Sequence, residues 1–105
     1  MANDKLPELM KGKRLSQSEY NVLKRQVYVR DKWHCRSCNN SRNLTPHHIV
    51  FRSQGGEDRL DNLITLCINC HDGVHGGKLE ILWERETMGG ILFVRGFRRK
   101  GGWKP

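Results

Sequence analysis

Apolar residues recur at helical spacing in one long stretch of the chain. Tyr20, Leu23, Val27 and Tyr28 fall on one side of a helix predicted over residues 17–31, with Lys24, Arg25 and Arg30 set among them. Its start is written as Ser16-Gln17-Ser18-Glu19, a capping box in which Ser16 and Glu19 satisfy the free backbone N–H groups of a first turn. Residues 33–45 are short, polar and turn-rich. Leu44 to Phe51 reads as a strand with Pro46 near its beginning, and Gln54-Gly55-Gly56-Glu57-Asp58 as a loop. Asn62-Leu63-Ile64-Thr65-Leu66 is a brief apolar run. A short helix is predicted from near Cys67 to a double-glycine stop at Gly76-Gly77. Leu79, Ile81 and Trp83 then alternate, and Ile91 to Phe97 returns across a Met88-Gly89-Gly90 turn, which predicts a hairpin over residues 79–98. The stretch from Leu79 to Glu86 also accommodates a helix. The pattern as a whole is α+β with no internal repeat. It divides into a flexible basic arm (1–15), a single domain (16–98) and a basic tail (99–105).

Composition adds that the core is thin. Apolar residues make up 36% of the 105 positions, and a small domain with so little to bury often relies on a metal or on disulfides. No stretch approaches the roughly 20 apolar residues of a membrane span, and the first residues lack the apolar segment of a secretory signal. The expectation is therefore a cytoplasmic protein, in which cysteines stay reduced and clustered cysteines more often hold metal. The net charge is +8 and is unevenly spread. Residues 1–54 carry eleven basic against four acidic side chains, residues 55–86 three against seven, and residues 87–105 five against none. Basic ends around an acidic middle attract polyanions at long range, of which nucleic acid is the commonest in a cell.

Four cysteines occur as two pairs, Cys35-x-x-Cys38 and Cys67-x-x-Cys70. Each spacing forms a tight knuckle, and two knuckles supply four thiolates to a closed tetrahedral site suited to structural Zn²⁺. Two disulfides, an iron–sulfur cluster or a redox pair are the alternatives, and a coloured protein would mark the iron or redox reading. Zinc bound here would convert binding free energy into folding free energy.

Four of the five histidines fall in two groups, His47-His48 on the predicted strand and His71 with His75 on the short helix. Residues four apart on a helix share a face. Neighbours on a strand point to opposite faces, so His47 and His48 meet at one point only if the backbone bends. His34 stands outside both groups and reads as a surface residue. The ordered set of His47-His48-Ile49, Gly55-Gly56, Asp61-Asn62-Leu63 and Cys67-x-x-Cys70-His71-x-x-x-His75 resembles the motif of the HNH nucleases, and its spacing is similar to that of the colicin-type nuclease domains.

The resemblance implies a ββα-metal domain (the His-Me finger) with the four-cysteine zinc site, an N-terminal helix and a C-terminal hairpin added. It implies that His48 is the general base, that Asn62 orients it by a hydrogen bond, and that His47 and His71 bind a catalytic divalent cation such as Mg²⁺ or Mn²⁺. His75 would be a ligand or a phosphate contact. Many relatives have Asp where this chain has His47. Arg30 and Arg52 are either contacts to the scissile phosphate or solvated charges. The implied activity is endonucleolytic hydrolysis of DNA, nicking or cutting both strands, with weak sequence specificity and contacts chiefly to the phosphate backbone. A homodimer is one arrangement open to it, and a non-catalytic zinc module that binds nucleic acid is the competing function. His48 and Asn62 separate the two, since binding needs neither.

Overall fold

The structure, a computed structural model, describes residues 14–86 and 90–105. Most of the arm and most of the hairpin turn read from the sequence lie outside the described residues. Helix α1 (Gln17–Arg30) begins at the capping box as expected: Ser16 Oγ accepts from the Glu19 N–H, and the Ser16 N–H donates to Glu19 Oε1 at 3.0 Å. It ends at Asp31, after which Lys32 and Trp33 both take positive φ, near 57°. The chain next forms β1 (Leu44–His48), crosses an irregular connection with two single 3-10 turns, and returns as β2 (Leu63–Cys67). Helix α2 (Ile68–His75) follows directly and stops at Gly76. A second antiparallel pair, β3 (Leu79–Arg85) and β4 (Leu92–Arg99), completes the chain, so the stretch from Leu79 is strand and not helix.

The β1–β2 pair is antiparallel, with Thr45 opposite Leu66, His47 opposite Ile64 and His48 opposite Leu63. All five residues of β2 are buried, the mark of a strand covered on both faces. Leu63 packs with Leu23 and Val27 of α1, whereas Ile64 and Leu66 join a second cluster with Ile49, Leu79, Leu92 and the cysteines. The small sheet thus has α1 on one side, and α2 with the hairpin on the other. Cross-strand partners share a face, so the pleat sends His48 toward α1 and sends Thr45 and His47 toward α2.

Two departures from the sequence reading have clear causes. Strand β1 ends at His48, three residues early: the Ile49 N–H still reaches the Asn62 carbonyl, but the next N–H, that of Val50, is taken by the Asn62 side chain and the chain turns away. Alternation along β3 is broken by an irregularity between Leu82 and Trp83, which leaves Trp83 exposed. At the C-terminal end, β4 runs to Arg99 and Trp103 packs against the second cluster. Its ring fills the space over Gly73 so closely that a Cβ there would lie 2.6 Å from it. Among the described residues no helix is long and apolar enough to cross a membrane.

Candidate metal centres and active site

Two ligand clusters are present among the described residues. Cys35, Cys38, Cys67 and Cys70 bring their sulfurs within 4.8 Å of one another, with Cys38 Sγ 3.6 Å from Cys67 Sγ and none of the four in a disulfide. The first knuckle follows α1 and the second spans the β2–α2 junction, so the cluster joins both sides of the sheet. The knuckle geometry is local: the Ser37 and Cys38 N–H groups both reach Cys35 Sγ at 3.4 Å, and Asn39 supplies a positive φ of 69°, which Asn tolerates better than most residues. Burial pushes the Cys70 thiol well above its ordinary range, and the crowded neighbouring sulfurs push it further. Four close thiols fit a divalent cation that favours thiolate, and the set can bind a zinc ion.

The second cluster is His47, His71 and His75, whose donor nitrogens also lie within 4.8 Å of one another. His47 is 2% exposed and meets the other two rings edge-on, at 4.8 and 5.2 Å between centroids. His71 and His75, one helical turn apart on α2, stack at 4.8 Å. Burial lowers the His47 pKa to about 3, helped by the neighbouring imidazoles, and burial and His75 likewise lower that of His71. His47 Nε2 is buried and has no hydrogen-bond partner among the described residues. A buried, neutral, unpartnered imidazole nitrogen beside two others is the donor chemistry of a cation site.

His48 lies across the strand, as the pleat requires. Its ring is parallel to Tyr20 of α1 at 6.4 Å, and its Nε2 is 2.8 Å from Asp58 Oδ1. Asp58 is 1% exposed and also accepts from the Leu15 N–H and from Arg52 Nε and Nη2. Burial alone would raise its pKa. Hydrogen bonds from His48 and Leu15, with the Arg52 charge, bring it below the ordinary carboxylate range. The carboxylate therefore stays ionised and takes the Nε2–H of His48, which leaves Nδ1 as the open lone pair. Arg52 sits 5.3 Å over the Tyr20 ring and lines an open cleft of about 470 Å³ with Arg14, Gln17, Tyr20 and His48.

The hydrogen bond expected between Asn62 and His48 is replaced by the one from His48 to Asp58. Asn62 is 3% exposed and uses its amide on the backbone: Oδ1 accepts from the Val50 N–H, and Nδ2 donates to the Val50 and Glu57 carbonyls. It closes the connection between the strands and so holds Asp58 in place. Asp58 was missed in the sequence because nothing in its spacing marks it off from the six other acidic residues between positions 55 and 86. Arg30 is committed to Asp31 and to the Leu60 and Leu63 carbonyls, which makes it a structural residue. A larger cleft of about 690 Å³, between Gln26, Ile64 and Phe93, holds none of the histidines.

The HNH endonuclease family model matches residues 34–77. The chain is 33% identical over 66 residues to Anaredoxin of Nostoc sp. (strain PCC 7120), a match covering 60% of this chain and 84% of that protein. It is 46% identical over 35 residues to the type IV methyl-directed restriction enzyme EcoKMcrA of Escherichia coli (strain K12), which covers 33% of this chain and 13% of that enzyme. No solved structure matches at the same stringency. The family match takes in β1, β2, α2, both cysteine pairs and the two groups of histidines, so the chain carries an HNH endonuclease domain over residues 34–77.

Proposed function

We propose that the protein is a metal-dependent endonuclease that hydrolyses phosphodiester bonds in DNA. The observation that carries this reading is the division of labour across β1: three imidazole donors converge on the α2 side, and a carboxylate-anchored His48 lies on the α1 side. In-line displacement at phosphorus places the attacking and leaving oxygens on opposite sides of the phosphate. Adjacent residues of one strand, His48 and His47, carry the two groups that this demands, a base and a cation ligand. His48 Nδ1 takes the proton from water as the new P–O bond forms. The P–O3′ bond breaks and the leaving oxygen takes a proton from solvent water, giving a 5′-phosphate and a 3′-hydroxyl. Asp58 holds the imidazole in the required tautomer and offsets the charge it gains. A divalent cation on His47, His71 and His75 would offset charge on the leaving oxygen when bound. Three imidazole ligands with no carboxylate favour later first-row metals over Mg²⁺.

The four cysteines are read as the structural Zn²⁺ site. Arg14, with the Nη1 of Arg52 left over from its bonds to Asp58, flanks His48 and suits phosphate oxygens, which favours backbone contact with weak specificity. Incubating zinc-loaded protein with supercoiled plasmid and Mn²⁺ or Co²⁺ tests the reading. Cleavage is expected in wild type, with a loss of about 10²–10⁴ in rate for His48→Ala while DNA binding and circular dichroism stay near wild type. Cleavage by the variant within a few-fold of wild type sinks the role of His48, and plasmid left intact by wild type with every metal sinks the enzyme.

A further inference from the structure

Thr45 lies on β1 two residues before His47, on the face turned to α2. Its hydroxyl makes two contacts: Oγ1 is 3.1 Å from the Leu66 carbonyl on the paired strand and 2.7 Å from His71 Nδ1. A hydroxyl has one proton and two lone pairs, while a carbonyl can only accept. Both contacts are hydrogen bonds only if the proton goes to Leu66 and Nδ1–H of His71 donates to Oγ1. The reverse arrangement, with the hydroxyl donating to Nδ1, leaves the Leu66 contact unmade and puts the ring proton on Nε2. The geometry points to Thr45 as a positioning residue that holds His71 as the Nδ1–H tautomer and so presents Nε2, unprotonated, to the cation site. Leu66 is fully buried and Thr45 is its register partner, so the acceptor that sets the direction of the relay is fixed by the sheet itself. The inference rests on the reading of His47, His71 and His75 as a cation site.

Hydrogen-bonded partners behind ligating histidines commonly contribute 10–100-fold to metal affinity. Long-range ¹H–¹⁵N spectra of the zinc-loaded protein before any other metal is added should show His71 as Nδ1–H in wild type and in Thr45→Ser. Thr45→Val keeps the shape and removes the hydroxyl, so Nε2–H should become populated. Calorimetric titration with Co²⁺ should then show affinity roughly 10–100-fold weaker for Thr45→Val and restored to within a few-fold by Thr45→Ser. Co²⁺ entering the cysteine cluster instead is recognised by thiolate charge-transfer absorption. His71 found as Nε2–H in wild type overturns the proposal without any variant, which covers the case in which Thr45→Val fails to fold. Equal Co²⁺ affinity in wild type and Thr45→Val overturns the role of Thr45 alone. Wild type that binds no Co²⁺ outside the cysteines overturns the cation-site reading and the role of Thr45 with it.

Discussion

At the residue scale the informative group is Asp58, because four N–H bonds converge on one buried carboxylate: His48 Nε2, the Leu15 amide and two from Arg52. An amide in its place would turn an NH₂ toward donors. Asp58→Asn therefore breaks part of this set and frees His48 to adopt the other tautomer, which blocks Nδ1. Single-turnover cleavage at saturating DNA is expected to fall, by less than the roughly 10²–10⁴ lost with the base itself, while urea denaturation reports the separate cost to the fold. An unchanged single-turnover rate would show that Asp58 serves the fold and not His48.

At the scale of elements, α2 is short and depends on what surrounds it. Eight residues form no stable helix alone, and this one is pinned by Cys70 at the cluster, by Gly73 under the Trp103 ring and by Thr45 at His71. Gly73→Ala forces a methyl group into the indole. It is expected to cost about 1–3 kcal/mol, as overpacking typically does, despite the gain in helix propensity from Ala. The same displacement moves the turn that carries His71 and His75, so Co²⁺ affinity should weaken along with stability. Urea midpoints and metal titrations check both, and a variant as stable as wild type would mean that Trp103 moves aside without strain. Exposed pairs on the hairpin, Arg95 with Glu84 and Arg98 with Glu80, contribute little by comparison.

For the whole molecule, the cysteine cluster is the link between the chain that follows α1 and the β2–α2 junction. Removing zinc with a strong chelator is expected to abolish far-ultraviolet circular dichroism of the native form and DNA binding together, and restoring zinc to recover both. A chelated protein that stays folded would refute the structural role. Acid acts on different groups. His47 is held neutral down to about pH 3, and His71 is shifted in the same direction, whereas an unfolded histidine takes up its proton near about 6.5. The unfolded chain therefore binds more protons below that value, and stability declines as the pH drops from about 6.5. Asp58 and Asp31 extend the decline. Burial opposes ionisation of each, but hydrogen bonds and neighbouring arginines win and lower both pKa values. Their contribution is complete above the unfolded carboxylate value of about 4 and is lost as pH falls below it. Urea midpoints between pH 8 and pH 3.5 should fall through both ranges, and a midpoint flat from pH 7 to pH 5 would contradict the burial of the histidines.

Local signals sufficed wherever the physics was local. The capping box placed the start of α1, the double glycine placed the end of α2, two Cys-x-x-Cys spacings defined one ligand cluster, and the i,i+4 spacing of His71 and His75 put them on one face. The order of His47, His48, Asn62 and His71 also pointed to the family without any structure. Partner choice was another matter. That His48 meets Asp58, that Asn62 serves the backbone of Val50 and Glu57, that Arg30 is consumed by Asp31 and that Trp103 covers Gly73 all depend on the path of irregular chain. The connection between β1 and β2 turns through Gly55 at φ 85° and brings Gly56 against the Val50 carbonyl, where a Cβ could not fit. Such a path has no period to read in the sequence. It is settled by which buried donors and acceptors can be satisfied at once, and that depends on residues far apart in the chain.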